Sequence, residues 1–200
     1  MLDTSEKLEV CAEELGYPTE QLITPLTGRT NTHPERHFCI DNGAYSQFPR
    51  KRFEAILARE YKRRALCRFV AVPDVVGSAR RTLEVFDYWF PLISNWNLAL
   101  VAQDGQEDLP IPWEHIQAVF IGGTTKFKES QGAIQIIKAA QAQSKWVHVG
   151  RVNDPTRFEA FRQLGVDSVD GSGIAQYTWM RERLGSSPSL FTRSEMVINV

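Results

Sequence analysis

The chain has 200 residues, of which 42% are hydrophobic and 24% are charged, and its formal net charge is −1. This composition is typical of a globular domain and excludes collagen-like and low-complexity disordered chains. No segment approaches the length of a transmembrane helix, about 18 apolar residues, and the acidic N-terminus lacks the apolar core of a secretory signal. The three cysteines are widely separated, so neither a disulfide framework nor a metal site is expected. We therefore expect a cytoplasmic protein with no membrane partner.

Six short apolar runs recur along the chain, and each ends in a polar or glycine-rich turn. Amphipathic segments follow most of these runs, so the pattern predicts alternating strands and helices. Ser78 and Asp154 are the expected N-caps of two of the helices, because their side chains can accept from free backbone N–H groups. The predicted strands span residues 37–40, 68–72, 98–102, 118–121, 146–149 and 165–169. The predicted helices span about residues 52–64, 79–89 and 129–143, with one more opening at Pro155 and a last one ending near residue 184.

The predicted strands are nearly continuous in apolar residues, which is typical of a parallel sheet covered on both faces. Their alternation with helices indicates the α/β class. We predict a (β/α)8 TIM-barrel-like fold, trimmed or incomplete, because 200 residues lies near the lower limit for eight units. An open doubly wound sheet is the alternative, although the chain has neither a GxGxxG motif nor a P-loop. Residues 1–200 are expected to form one domain, of which residues 185–200 are a loosely held tail.

Polar residues and glycines follow the predicted strands at the points where each strand gives way to a loop. In a parallel barrel these points converge on one face, which is where barrel enzymes carry their active sites. Carboxylates crowded there repel one another unless a substrate or a proton relieves them, and glycines let a flat ligand approach the backbone. The residues at these positions are Asp41, Asp74, Gln103, Asp104, Gly122, Gly123, Gly150, Arg151 and Asp170.

Several of these positions also have a purely structural interpretation. Asp41 precedes Asn-Gly, a common turn sequence, and Asp74 follows a proline and could cap the next helix. His148 lies within an apolar strand, where a histidine is more often a core residue than a catalytic base. Only the shared position of these residues at strand ends favours a binding site. The hydrogen-bond donors and acceptors that they offer suit a heterocyclic ligand.

A basic segment interrupts this nearly neutral chain. Between Arg50 and Arg81 there are ten Lys or Arg residues and three acids, a net charge of +7, whereas the remaining residues carry −8. Such a segment suits a phosphate-bearing partner, and a solvated helix face is the alternative interpretation. Four of its arginines are candidates for contacts to a nucleic-acid backbone: Arg63, Arg64, Arg80 and Arg81.

Five segments of this chain match one family in order and in rough spacing. They are IDNGAYSQF (40–48), VPDVVG (72–77), LVAQDG (100–105), FIGG (120–123) and HVGRVNDPTRFEAFRQLGVDSVDGS (148–172). Over residues 37–175 the chain thereby resembles the tRNA-guanine transglycosylase (queuine tRNA-ribosyltransferase) family, in which TDSGG, V-Q-G, I-G-G and G-V-D-x-F-D stand at the corresponding places. The likeness is greatest to short phage-type members, similar to DNA 7-deazaguanine transglycosylases, that lack the zinc region.

The resemblance implies a role for each matching residue. Asp170 stands at the position of the family's nucleophile, and Asp41 at that of its general acid/base. Tyr45 matches the aromatic residue that stacks on the purine. Asp74 and Gln103 match the pair that hydrogen-bonds the guanine edge. Further contacts to the base are implied for Gly122, Gly123 and Gly150.

The resemblance also implies the reaction, an exchange of guanine for a 7-deazaguanine base of queuine or preQ0 type through a covalent glycosyl-aspartate intermediate. No cofactor or metal is implied. The implied partners are a nucleic acid, DNA or tRNA, and a free purine or 7-deazaguanine base, with a homodimer or an accessory protein in addition. For a phage-encoded protein the compartment would be the host cytoplasm.

Two departures from the family bear on the substrate. No cysteine follows Cys67, so the family's zinc motif is absent, and DNA fits this chain at least as well as tRNA. The sequence TTKFKE after Gly123 also departs from the family pattern, which leaves recognition of the deazaguanine side chain open.

Three other functions stay open on the sequence. A base-excising N-glycosidase would use water in place of an incoming base, and a catalytically inactive barrel would only bind nucleic acid. A small-metabolite isomerase or lyase is the third. The presence of both Asp41 and Asp170 favours catalysis, and the basic segment favours a polymeric substrate.

Overall fold

The computed structural model describes residues 19–25, 35–45, 47–171, 173, 179, 182–183 and 196–199. Eight parallel strands form a closed barrel in which each strand pairs with its neighbours in the sequence and β8 pairs with β1. The strands are β1 (Thr19–Ile23), β2 (Phe38–Ile40), β3 (Cys67–Ala71), β4 (Leu98–Ala102), β5 (Ala118–Ile121), β6 (Trp146–Val149), β7 (Ser168–Asp170) and β8 (Val197–Asn199). The helices are α1 (Arg50–Glu60), α2 (Ala79–Trp89), α3 (Thr125–Lys128), α4 (Gln131–Ala142) and α5 (Pro155–Gln163).

The TIM-barrel prediction is confirmed, and two strands outside the six predicted ones complete the barrel. One is β1, whose sequence TEQLI carries three polar residues that hide the strand pattern. The other is β8, which lies within the predicted loose tail, yet its three residues are buried and pair with both β7 and β1. The tail prediction is therefore wrong for residues 197–199, because a three-residue strand is too short to show a period. The barrel is closed by eight strands, so it is not incomplete in strand number.

Side-chain caps set where the helices begin. Ser78 and Asp154 accept the backbone N–H of the third residue of α2 and of α5, at 3.4 and 3.0 Å, so both N-cap predictions are confirmed. Ser130 caps α4, so the predicted helix over residues 129–143 begins only after the separate short helix α3. The last predicted helix, ending near residue 184, falls mostly outside the described residues. None of the described helices is both long and apolar enough to cross a membrane.

Alternating side chains along the strands build two apolar layers. Outward-pointing residues such as Ile40, Val70 and Leu100 belong to one buried cluster with Phe53 of α1 and Phe86 of α2. Burial on both faces explains why these strands appear as continuous apolar runs in the sequence. The inner layer fills the barrel with Cys39, Phe69, Ala71, Ala99, Val101, Ala118 and Phe120.

An ion pair lies at the N-terminal end of the barrel. Arg68 in β3 donates to the carboxylate of Glu20 in β1, with a shortest distance of 2.8 Å. Its guanidinium also lies 5.1 Å from the ring centroid of Trp146, the first residue of β6. Because Glu20 is almost fully buried, the positive charge of Arg68 is what keeps its carboxylate from being isolated in the barrel.

Candidate active site at the C-terminal end of the barrel

A pocket opens at the C-terminal end of the strands, the end at which barrel enzymes carry their active sites. Its lining atoms enclose about 500 Å³, part of which is open to solvent. The structure brings together all the residues predicted to be catalytic or substrate-binding, while their roles stay predictions. These residues are Asp41, Tyr45, Asp74, Gln103, Gly122, Gly123, Gly150 and Asp170.

Asp74 is held in a fixed orientation by two amides. Asn42 Nδ2 donates to its Oδ1 at 2.8 Å, and Gln103 Nε2 donates to its Oδ2 at 2.6 Å. Gln103 is itself held, because its Oε1 accepts from the backbone N–H of Gly77 at 2.8 Å. Burial raises the pKa of Asp74, and the two amide contacts oppose that rise. The alternative that Asp74 caps the next helix is wrong, since Ser78 caps α2.

Asp41 lies directly after β2 and shares the pocket with two other carboxylates. Its Oδ1 accepts from the backbone N–H of Gly43 at 3.4 Å. Burial, together with the negative charges of Asp170 and Asp74, raises the pKa of Asp41 to about 7, against the backbone contacts that lower it. A carboxyl with this pKa holds a proton in a large fraction of molecules at neutral pH, which is what a general acid needs.

Asp170, the last residue of β7, receives an N–H donor on each oxygen. His148 Nε2 lies 2.9 Å from Oδ2, and the backbone N–H of Arg151 donates to Oδ1 at 2.9 Å. The two contacts fix the orientation of the Asp170 side chain, whose carboxylate oxygens can act as a nucleophile.

His148 is a functional contact that the sequence reasoning missed. It is fully buried, as expected of a core histidine, but it also reaches Asp170 through one ring nitrogen and Ser168 through the other. The alternation of side chains along a strand could have predicted this contact. In adjacent β6 and β7 that alternation puts His148 on the same inward face as Gly150, and Ser168 on the same face as Asp170.

Glycine at position 150 keeps the floor of the pocket open. A Cβ at Gly150 would lie 2.5 Å from Cε1 of Phe120 and 3.4 Å from Oδ2 of Asp170. Gly123 has a positive φ of 70°, which glycine adopts most easily, and a Cβ there would lie 2.6 Å from Oδ2 of Asp104. A larger residue at Gly150 would displace Phe120, which lines the pocket, and one at Gly123 would displace the carboxylate of Asp104.

Tyr45 and Arg151 lie against each other at the mouth of the pocket. Tyr45 is 66% exposed, and the guanidinium carbon of Arg151 lies 4.1 Å from its ring centroid. Arg151 also donates from Nη2 to the backbone carbonyl of Gly123 at 3.1 Å. An aromatic ring and a guanidinium plane both stack on nucleobases, so this pair provides a platform for a flat ligand.

Lys128 is a buried amine behind the pocket, and the sequence reasoning missed it as well. Its Nζ donates to the backbone carbonyl of Gly150 at 2.7 Å and so holds the loop between β6 and α5. Burial, together with the positive charge of Arg151, lowers the pKa of Lys128 to about 8, while Asp170 opposes this change. Lys128 falls in a polar segment, TTKFKE, in which a buried lysine is not expected.

The four arginines predicted to contact a nucleic-acid backbone do not form one surface. Arg80 and Arg81 are exposed at the start of α2, immediately after the loop from β3, and therefore lie at the pocket end of the barrel. Arg63 and Arg64 lie in the turn Tyr61–Leu66 that leads into β3, which places them at the opposite end.

Arg63 has structural partners at that end. It donates to the buried carboxylate of Glu60 at 2.8 Å, and its guanidinium carbon lies 4.9 Å from the ring centroid of Phe38. Its charge is therefore compensated within the fold, whereas Arg81 keeps 71% of its side chain exposed.

The pocket combines an oriented carboxylate, Asp170, with a carboxyl whose pKa is near neutrality, Asp41. Such a pair can attack a glycosidic carbon and protonate the group that leaves it. In the part of the chain that the structure describes, no cluster of three or more His, Cys, Asp or Glu side chains is arranged to hold a metal ion. No protein-family model, curated protein or solved structure matches this chain.

Proposed function

We propose that the protein is a nucleic-acid guanine transglycosylase, which replaces guanine with a 7-deazaguanine base of queuine or preQ0 type on DNA or tRNA. The observation that carries this proposal is that Asp41 and Asp170 line one pocket in different surroundings. Asp170 receives two N–H donors, whereas Asp41 is desolvated and close to other negative charge. This difference suits a nucleophile and a general acid that work on the same bond.

The first half of the proposed reaction is a displacement at C1′ of the target nucleotide. A carboxylate oxygen of Asp170 bonds to C1′ while the glycosidic bond to guanine breaks, and the bonding electrons leave with the base. Protonated Asp41 transfers its proton to the departing guanine. The products are neutral guanine, a glycosyl ester on Asp170 and the Asp41 carboxylate.

The second half reverses these roles with a different base. The Asp41 carboxylate takes the ring N–H proton of the incoming 7-deazaguanine, whose nitrogen then bonds to C1′. The ester bond to Asp170 breaks, and its electrons restore the carboxylate. Asp41 ends protonated and Asp170 ends ionised, so the enzyme returns to its starting state without a cofactor.

The surrounding side chains support a purine as the ligand. The Asp74 carboxylate, fixed by its two amide contacts, can accept from the adjacent N–H groups on the amidine edge of guanine. Tyr45 offers an exposed ring face for stacking. A base held in this way has left its helical stack, which requires an unpaired or flipped nucleotide.

The experiment that tests the proposal measures incorporation of labelled guanine, and then of a labelled 7-deazaguanine, into tRNA and into duplex DNA side by side. We expect incorporation into at least one polymer and its loss in Asp170→Asn. Asp87→Asn is the matched control, because Asp87 is exposed on α2, outside the pocket. Release of free guanine without incorporation would indicate an N-glycosidase, and binding without either reaction would indicate an inactive barrel. Either result would overturn the proposal.

A further inference from the structure

A chain of hydrogen bonds runs through the interior of the barrel and ends at Asp170. The indole Nε1 of Trp146 lies 2.8 Å from Ser168 Oγ. The same Oγ lies 2.9 Å from His148 Nδ1, and His148 Nε2 lies 2.9 Å from Asp170 Oδ2. Because His148 and Ser168 are paired residues of β6 and β7, the strand register itself sets the middle contact.

The two ends of the chain fix its direction. The carboxylate of Asp170 can only accept, so the Nε2 of His148 carries a proton that points at it. The indole N–H of Trp146 can only donate, so Ser168 Oγ accepts from it and keeps its own hydrogen. In a neutral imidazole, Nδ1 is then the unprotonated nitrogen, and the hydroxyl of Ser168 donates to it.

The packing around His148 prevents the ring from turning. The imidazole is fully buried, and its centroid lies 4.5 Å from that of Phe120 and 5.2 Å from that of Phe69. Both ring nitrogens are engaged and neither is exposed, and His148 is not among the residues that line the pocket, so it meets a ligand there only through Asp170. This arrangement suits a group that holds a neighbour in place and does not suit an acid or base.

We propose that His148 is a positioning residue for Asp170, and that Ser168 fixes it in the neutral tautomer that donates from Nε2. The inference rests on the function proposed above, in which Asp170 attacks C1′. The contact from His148 on Oδ2 and the backbone contact from Arg151 on Oδ1 together set the plane of the carboxylate. A nucleophile held in this way spends less time in orientations from which it cannot react.

Two variants at position 148 distinguish the effect of a hydrogen-bond donor from the effect of side-chain volume. In His148→Gln the side-chain amide can place an N–H close to the original Nε2, whereas His148→Leu keeps bulk and offers no donor. We expect kcat for base exchange to fall about tenfold or less in the Gln variant and about 100-fold or more in the Leu variant. KM for the free base should stay within about twofold in both. Equal kcat values in the two variants would overturn the proposal.

Ser168→Ala is the milder test, and it serves even where a change at the buried histidine prevents folding. Removing the hydroxyl leaves the contact between His148 and Asp170 possible but no longer fixes the tautomer. We expect a fall in kcat of about tenfold with an unchanged KM. A kcat equal to that of the wild-type protein would overturn the role given to Ser168.

Nitrogen-15 NMR of the imidazole rings tests the tautomer without any reaction. The chain has four histidines, so the signals of His148 can be assigned by their loss in His148→Gln. We expect a neutral Nε2–H ring in the wild-type protein and a mixture of tautomers in Ser168→Ala. An Nδ1–H ring or an imidazolium at neutral pH, in a wild-type protein that exchanges bases, would overturn the inference alone. Absence of exchange in a wild-type protein with the Nε2–H ring would instead overturn the proposed function.

Discussion

Carboxylates at the two ends of the barrel have different kinds of partners. At the N-terminal end, the nearly buried carboxylate of Glu20 is paired with Arg68, and the buried carboxylate of Glu60 is paired with Arg63, each at 2.8 Å. Each of these two acids has an arginine within contact distance, so its charge is compensated inside the protein. These pairs avoid the cost of an isolated buried charge, and they leave little for a ligand to bind.

At the C-terminal end, three carboxylates share one pocket and bind amides, backbone N–H groups and an imidazole. Asp74 is held by amides, Asp170 by His148 and a backbone N–H, and Asp41 by a backbone N–H. This arrangement orients the side chains and leaves their mutual repulsion in place, which adds to burial in raising the pKa of Asp41. The charges of Glu20 and Glu60 are therefore compensated within the fold, whereas the charges of the pocket are left for the proposed ligand to relieve.

The largest effect that this comparison predicts follows from Asp41→Asn. The variant cannot protonate the leaving base, so base exchange should fall by about 10²- to 10⁴-fold. Its free energy of unfolding should not fall, because the change removes one of three mutually repelling carboxylates. Exchange kinetics and urea unfolding of the same preparation measure both quantities, with Asp87→Asn as the control. Exchange within tenfold of the wild-type rate would remove Asp41 from the general-acid role.

The second effect lies at the other end, in Arg68→Met. Methionine keeps much of the apolar stem but leaves the carboxylate of Glu20 without its partner. Because Glu20 is nearly buried and Arg68 is about one-third exposed, the free energy of unfolding should fall by about 1–3 kcal/mol. Urea unfolding measures this loss, and Arg64→Met, at an exposed position of the same end, is the control. Binding of the free base to the folded variant should be unchanged, and a weakened binding would contradict the separation of the two ends.

A third prediction concerns the pH dependence of stability. Since the pKa of Asp41 rises from 3.8 to about 7 on folding, the folded protein keeps a proton that the unfolded chain has already lost between those values. The free energy of unfolding of the wild-type protein, minus that of Asp41→Asn, should therefore decrease as the pH rises from about 4 to about 7. The decrease should reach about 4 kcal/mol, from about three pKa units at 1.36 kcal/mol each, and then level off. Urea unfolding at a series of pH values measures it, and a difference that does not change with pH would contradict the raised pKa of Asp41.

The pocket could be predicted from the sequence because a parallel barrel carries its functional residues at the C-terminal ends of its strands. Asp41, Asp74 and Asp170 each follow or end an apolar run, and the fold alone brings such positions to one face. The N-caps at Ser78 and Asp154 were equally accessible, since capping depends on a residue type next to a helix. These features are local, and the sequence pattern contains them.

The features that were missed depend on pairing between distant segments. The contact from His148 to Asp170 requires the register of β6 with β7, and strand β8 is stabilised by its two neighbours more than by its own three residues. The separation of Arg63 from Arg80 was available in principle, because the first precedes a predicted strand and the second follows it. Counting charges along the chain places the two arginines in one basic segment, whereas the direction of β3 puts them at opposite ends of the barrel.

The smallest predicted effect tests which end of the barrel faces a nucleic acid. In Arg80→Gln/Arg81→Gln the pocket end loses two positive charges, and in Lys62→Gln/Arg64→Gln the opposite end loses two from exposed positions. The net charge changes equally, so only position distinguishes the two variants. The first variant should bind duplex DNA or tRNA about tenfold more weakly, because a strand entering the pocket passes the start of α2. The slope of its log affinity against log salt concentration should fall by the equivalent of about one to two phosphate contacts. The second should bind as the wild-type protein does. Titrations over a range of salt concentrations measure both slopes. If the second variant lost more affinity than the first, the polymer would run along the N-terminal end, and the carboxylates of the pocket would have to meet a ligand other than that polymer.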